Sequence, residues 1–146
     1  MHFANHLSVA KARERYFDSN GFSEAGYSDR WVRIKFGPIP VIFPNSGARI
    51  RALRLHDLHH IATGYDTDLR GEAEQSAWEI GAGCGRHWFA WAINLTGVAY
   101  GVFLAPIRTW RAFRRGRRSR TLYSGQFEPA LLEQSVGALR QTLELD

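Results

Sequence analysis

Two histidines and two carboxylates stand at fixed spacing in the middle of the chain. They are His56, Asp57, His60 and Glu72, in the order H-D-x-x-H-x11-E. Residues four apart are neighbours on a helix surface, so a helix over Leu55–Ala62 would place His56 and His60 on one face. This pattern constrains the fold, because the carboxylate can join the two imidazoles only if the chain turns back on itself.

A helical hairpin would make that return. Gly64 can end the first helix, and Asp66, Thr67 or Asp68 can cap a second helix that carries Glu72. Two imidazoles with two carboxylates form a borderline ligand set, for which zinc is the first metal to consider. We therefore predict a site for one divalent metal, with zinc as the expected ion. The predicted ligands are His56, Asp57, His60 and Glu72.

The spacing leaves several alternatives open. An HxxxH pair also occurs as a hydrogen-bonded surface feature, and His59 could replace His60 as a ligand. Four protein ligands would close a tetrahedral zinc site, so chemistry requires either a higher coordination number or a role for Asp57 in orienting an imidazole. Asp68 and Glu79 are the nearest spare carboxylates for proton transfer, although a helix cap or a solvated helix charge accounts for each of them as well.

The motif resembles that of the Coq-four family of ubiquinone-biosynthesis proteins, which carries the same H-D-x-x-H-x11-E pattern. The similarity covers about residues 49–145, whereas residues 1–44 diverge from the family. The further matching segments are Gly71-Glu72, Trp78-Glu79, Ala105-Pro106-Ile107-Arg108, Gly116-Arg117-Arg118 and a C-terminal helix over Leu131–Leu145.

The resemblance implies a metal-dependent decarboxylase or hydroxylase of ubiquinone biosynthesis. Such a protein would remove the C1 carboxyl from a polyprenylated hydroxybenzoate ring and put oxygen in its place. A Lewis-acid metal could hold that carboxylate and a phenolate together. The expected partners are a prenylated aromatic or other lipid, a biosynthetic complex or a second copy of the chain. A metal-stabilised lipid-binding scaffold and an arginine-rich nucleic-acid-binding module are the alternatives.

The basic residues are concentrated in one segment. Seven arginines and no acidic residue occur from Arg108 to Arg120, so the rest of the chain has 12 basic and 14 acidic residues while the whole chain carries +5. Arginine suits bidentate contact with phosphate or carboxylate. A solvated face and an anionic membrane surface both fit this segment, whereas no base-reading motif supports nucleic acid.

An apolar segment comes directly before the arginines. Trp88–Ile107 contains 20 residues without a charge, long enough to span a membrane, but its polar residues, glycines and Pro106 also fit a buried core helix. The small residues Ala92, Gly97 and Gly101 have two interpretations. They either leave an apolar groove for a lipid ligand, which starts at the metal and runs beside this helix toward the basic segment, or they only permit close helix packing.

The remaining sequence predicts a mainly α single domain, residues 1–146, with a minor N-terminal β-hairpin or extended flap. The hairpin strands are expected at Arg30–Phe36 and near Val41–Phe43, after a helix over Phe3–Asp18. Cys84 is the single cysteine, which excludes an internal disulfide and suits a reducing compartment. The N-terminus lacks the apolar core of a signal peptide, so we expect a cytoplasmic protein, peripheral on the inner face of a membrane.

Overall fold

The computed structural model describes residues 2–36 and 39–145. It describes their side chains as well, except those of residues 33–36, 39–41 and 43. The helices follow one another with short connections. The fold is mainly α, as the sequence predicts. In chain order the elements are α1 (Val9–Asn20), α2 (Ala25–Ser28), β1 (Trp31–Phe36), β2 (Ile39–Pro44), α3 (Gly47–Thr63), α4 (Leu69–Ala82), α5 (Trp88–Leu104), α6 (Pro106–Gly116), a 3-10 turn (Leu122–Ser124), α7 (Ala130–Glu133) and α8 (Val136–Thr142).

Helices α3 and α4 form the predicted hairpin. The Ser46 side chain caps α3 by accepting a hydrogen bond from the backbone N–H of Arg49, at 3.2 Å. Gly64 ends α3 in the left-handed conformation at φ 81°, which glycine adopts without a steric penalty. Asp68 then caps α4, because its Oδ1 accepts from the N–H of Gly71 at 2.7 Å. The interpretation of Asp68 as a helix cap is confirmed.

The core is built around α3. Its fully buried residues Leu55, Leu58 and Ile61 lie in the main cluster of apolar side chains. Helix α3 contacts α1, α4, α5 and α8, while α4 packs closely on both α5 and α6 and buries Trp78. The hairpin that carries the histidines and Glu72 is therefore held by helices on several sides.

The N-terminal hairpin is present, but the first helix begins later than predicted. Strands β1 and β2 pair antiparallel, with Trp31 opposite Pro44. The turn at residues 37 and 38 lies outside the described residues. Helix α1 begins at Val9 rather than Phe3, because the Ser8 side chain accepts from the N–H of Lys11 and so sets the start of the helix.

Two predicted helices are each divided in the structure. The segment Trp88–Ile107 breaks at Ala105, whose extended φ of −151° ends α5, and Pro106 begins α6. A proline lacks the N–H that would continue α5 but is well suited to the first turn of a new helix. The C-terminal stretch Leu131–Leu145 is likewise interrupted, because Gln134 is extended and Ser135 caps α8.

Helix α5 is buried along one face only. Of its residues, Ala90, Asn94 and Gly101 are buried, whereas Phe103 is 87% exposed. The core-helix interpretation therefore holds for one face of α5. Among the described residues, no helix is both long and apolar enough to cross a membrane.

The glycines of α5 permit close helix packing and do not line a groove. A Cβ at Gly97 would lie 2.2 Å from Oγ of Ser76 on α4. A Cβ at Gly101 would lie 2.6 Å from Oγ1 of Thr109 on α6 and 2.7 Å from Cβ of Ala73 on α4. The groove predicted along these residues is therefore wrong, because neighbouring helices occupy that space.

Candidate metal centre

Three of the four predicted ligands meet where α3 and α4 face each other. His56 and His60 are one turn apart on α3, and their Nε2 atoms are 3.1 Å apart. Glu72 lies in the first turn of α4, with one carboxylate oxygen 3.4 Å from Nε2 of His56 and the other 3.4 Å from Nε2 of His60. One donor atom from each residue lies within 4.8 Å of the others, so this group could hold a metal ion.

Both imidazoles are oriented by their second nitrogen. His60 Nδ1 lies 3.0 Å from the carbonyl oxygen of Tyr65, which can only accept a hydrogen bond, so Nδ1 carries the proton. His56 Nδ1 lies 2.9 Å from Oε1 of Glu79 and donates to that carboxylate. Each ring therefore directs Nε2 at the other, and their lone pairs repel unless a proton or a metal cation lies between them. This orientation through Nδ1 is typical of metal-binding histidines.

Glu79 is the buried carboxylate behind this centre. Its side chain is 0% exposed, so the interpretation of Glu79 as a helix cap or solvated helix charge is wrong. Donors surround both oxygens: Oε1 accepts from His56, from His59 at 2.8 Å and from Gln75 at 3.0 Å, and Oε2 accepts from Asn94 and from Tyr123 at 2.8 Å. One anion thus holds side chains from α3, α4, α5 and the 3-10 turn.

The charges near the centre suit a divalent cation. Burial alone would raise the pKa of Glu79, but the charge of His56 and the hydrogen bonds from His56 and His59 outweigh it and hold the pKa well below its usual range. Burial is outweighed at Glu72 as well, where hydrogen bonds from His56 and His60 lower the pKa to about 2. Two negative charges therefore lie beside the histidines. Burial alone would lower the pKa of His56, but these carboxylates raise it well above its usual range, so its proton balances one charge, and a divalent ion in place of that proton would balance both.

His59 is a structural residue and not an alternative ligand. Its Nε2 accepts the backbone N–H of Leu122 at 2.9 Å, while Nδ1 donates to Glu79. Both nitrogens are occupied in a fully buried ring. Burial lowers the pKa of His59, which fits the neutral form that these two bonds require. His59 thus fixes the 3-10 turn to α3, and His60 takes the position in the group.

The structure places Asp57 beside the three-residue group. Its carboxyl accepts hydrogen bonds from the hydroxyls of Tyr27 and, at 3.5 Å, of Tyr16. Burial raises the pKa of Asp57, although His56 and the Tyr27 hydrogen bond oppose the shift. Glu79, rather than Asp57, is the carboxylate that orients His56. The sequence did not indicate that these two tyrosines, which lie on α1 and α2, contact Asp57.

An apolar cavity of about 230 Å³ opens onto the centre. Helix α5 forms one wall of this cavity, through its first half rather than through the glycines. The residues around the cavity include His56, Asp57 and Glu72, the polar side chains Arg49 and Asn94, and the apolar side chains Phe22, Leu53, Phe89 and Ile93. Because Glu72 also keeps 41% of its side chain exposed, the centre has an accessible side.

Sequence reasoning named Glu79 but missed its role in orienting the histidines, and it missed Arg49 altogether. Glu79 follows Glu72 by seven residues, and Arg49 precedes His56 by seven, so each lies two helical turns along the same face as a predicted ligand. Cys84 is fully buried and is not part of the metal group. No protein-family model matches the chain, and no curated protein matches it either.

Proposed function

We propose that this chain is a metal-dependent enzyme that removes the ring carboxyl from a polyprenylated hydroxybenzoate and replaces it with a hydroxyl group. The observation that carries the proposal is the group of His56, His60 and Glu72, which could hold a metal ion and of which His56 and Glu72 line an apolar cavity. The resemblance of its spacing to the Coq-four motif supplies the substrate class. An apolar cavity with a few polar groups suits an aromatic ring with a lipid tail.

Three protein ligands leave coordination positions for substrate, which four would not. Zinc in catalytic sites commonly has two histidines and one glutamate, and ferrous ion binds the same set in oxygenases. We propose zinc as the ion. The bound ion would supply Lewis acidity that holds ring oxygens in place and favours their deprotonated form. Asp57 lines the same cavity and can accept the proton that such an oxygen loses.

The proposed reaction requires dioxygen and a two-electron donor as co-reactants. The bond between the ring and its carboxyl breaks, and the carboxyl leaves as carbon dioxide. One oxygen atom of dioxygen forms the new ring hydroxyl, while the other is reduced to water with two electrons and two protons. Glu79 and Tyr65 take no part in this exchange, since their contacts orient the two imidazoles.

Metal analysis of purified protein tests the centre directly. The wild type should bind one divalent ion, and His56→Ala or His60→Ala should lose most of it. His6→Ala is the matched control, because it removes an exposed histidine outside the group and should leave the metal content unchanged. Equal metal content in all four proteins would refute the assignment.

Chelation separates the enzyme from a metal-stabilised scaffold. A catalytic ion can be removed while the helices stay folded, whereas a structural ion is coupled to folding. We expect circular dichroism of the stripped protein to retain its helical signal, because Glu79, His59 and Tyr123 bind one another without the metal. Complete loss of helix on stripping would favour the scaffold.

A membrane surface is the second element of the proposal. Helix α6 exposes Ile107 (67%) and Trp110 (60%) together with Arg111 and Arg114, next to the exposed apolar side chains of α5. Among the described residues, no carboxylate pairs with Arg111 or Arg114, although Arg108 pairs with Glu74. Exposed tryptophan and arginine on one helix are typical of interfacial helices.

Vesicle sedimentation tests this surface. Binding should be stronger to vesicles that contain phosphatidylserine than to phosphatidylcholine vesicles and should fall with salt, because each arginine near an anionic surface contributes about 1 kcal/mol. The double variant Arg111→Gln, Arg114→Gln should bind about tenfold or more weakly. The control is Arg15→Gln, Arg30→Gln, which removes two exposed arginines elsewhere. If both double variants lost vesicle binding equally, the binding would be non-specific charge attraction and would not depend on the α6 surface.

A further inference from the structure

Arg49 lines the same cavity as His56 and Glu72 of the metal group. It is in the first turn of α3, seven residues before His56, and both side chains line the cavity. A helix rises about 1.5 Å per residue, so the two Cα atoms are about 10 Å apart along the axis. Both side chains tilt the same way, toward the helix N-terminus, so this separation applies to the arginine and the imidazole alike. The cavity therefore has a cationic end and a metal-binding end.

The guanidinium of Arg49 has donors to spare. Its one side-chain hydrogen bond runs from Nη1 to Oδ1 of Asn45 at 2.8 Å, and Asn45 is neutral. No carboxylate among the described residues forms an ion pair with it. Arg54, on the same helix, instead lies over the rings of Tyr27 and Phe127. Partial burial lowers the pKa of Arg49, and the charge of Asp57, which lines the same cavity, only partly opposes that shift.

We propose that Arg49 binds the carboxylate of the substrate ring while His56, His60 and Glu72 present the metal to a ring oxygen at the far side. This inference rests on the proposed function and assigns the orientation of its substrate. Arginine is suited to this role, because its planar fork can donate two parallel hydrogen bonds to one carboxylate. A ring with a carboxylate and an oxygen on opposite sides can contact both ends of a cavity of about 230 Å³.

This orientation also fits the chemistry. A deprotonated oxygen para to the carboxyl releases electron density to the ring carbon that bears it, and that carbon is the one that must accept the new oxygen. The lipid tail of the ring would leave between the apolar side chains of the cavity. Phe22 is 47% exposed at this cavity, and Ile93 of α5 is also exposed, so an apolar path reaches the protein surface.

Two small ligands distinguish binding at the metal from binding at Arg49. Catechol offers ring oxygens alone, whereas 3,4-dihydroxybenzoate adds the carboxylate opposite one of them. Binding of each to protein loaded with Co²⁺ can be followed by the visible spectrum of the metal. We expect the wild type to bind 3,4-dihydroxybenzoate more tightly than catechol. Arg49→Met should weaken binding of 3,4-dihydroxybenzoate by about tenfold to a hundredfold and leave catechol binding unchanged.

The controls keep the test decisive. Arg51→Met removes an exposed arginine from the same helix and should change neither affinity. Arg49→Lys keeps the positive charge but not the planar guanidinium, so it should lose part of the preference for 3,4-dihydroxybenzoate over catechol. This variant replaces Arg49→Met if the Met variant fails to fold. An unchanged preference for 3,4-dihydroxybenzoate in these Arg49 variants would overturn the inference while the metal site stands. If the wild type took up no Co²⁺, or if catechol left the visible spectrum of the bound Co²⁺ unchanged, the proposed function would be overturned, and this inference with it.

Discussion

The substitution Glu79→Gln would test whether one buried carboxylate organises the centre. It removes the charge and keeps nearly the same shape. The new amide group fits best at the position of Oε2, since the hydroxyl of Tyr123 can turn to accept and Oδ1 of Asn94 has no hydrogen-bond partner. The amide oxygen would then accept from His56, His59 and Gln75 in place of Oε1.

The expected cost follows from these three bonds. A hydrogen bond to a charged group contributes about 1.5–3 kcal/mol and a neutral one about 0.5–1.5 kcal/mol, so each bond loses about 1 kcal/mol. We therefore expect the free energy of unfolding of the metal-free protein to fall by about 3 kcal/mol. Metal affinity should fall as well, by about tenfold to a hundredfold, because the imidazole of His56 loses its anionic partner.

Urea unfolding with a chelator present measures the first effect, and zinc titration against a competing chelator measures the second. Glu133→Gln is the matched control, since it makes the same chemical change at an exposed residue and should stay within about 0.5 kcal/mol of the wild type. If Glu79→Gln matched Glu133→Gln in both stability and metal affinity, Glu79 would not be the residue that orients the centre.

Three further predictions concern other parts of the fold. Gly101→Ala should destabilise the protein by about 1–3 kcal/mol in thermal or urea unfolding, because the new Cβ would meet Thr109 and Ala73; unchanged stability would mean that α5 can move away from its neighbours. Asp68→Ala should cost about 1 kcal/mol through loss of the α4 cap, and Asp68→Asn should recover most of it. Burial raises the pKa of the Cys84 thiol to about 12, so the folded protein should react with a thiol reagent at pH 8 far more slowly than protein unfolded in urea. An unfolded thiol titrates near pH 8.5, so this residue also makes the folded state less stable as pH rises above about 8.5, and Cys84→Ala should remove that pH dependence from urea unfolding.

The helical hairpin and the three residues that could hold a metal ion could be predicted from the sequence because local rules decide them. Ser46, Gly64 and Asp68 set where α3 and α4 begin and end, and each acts on backbone groups within a few residues. The spacing of His56 and His60 follows from the helical repeat alone. Residues close in sequence therefore determined the first half of the centre.

The end of α5 and the surroundings of its glycines were predicted less well. The segment Trp88–Ile107 has the composition of one long helix, but Pro106 can begin a helix and cannot continue one without losing a hydrogen bond. The glycines of α5 looked like space for a ligand because the sequence does not say which helices approach them. Ser76 and Thr109 fill that space from α4 and α6.

The sequence by itself determined which side chains stand one turn apart, where the hairpin helices begin and end, and that a charge-free segment precedes seven arginines. Only the tertiary structure decided that Glu79 is buried among donors from α3, α4, α5 and the 3-10 turn, that Asp57 bonds to Tyr16 and Tyr27, and that Arg49 shares a cavity with His56. The physical reason is separation along the chain. A cap or a helical repeat acts over a few residues, whereas the hydrogen bonds of Glu79 reach as far as the 44 residues to Tyr123, and only the packing of whole helices brings such partners together.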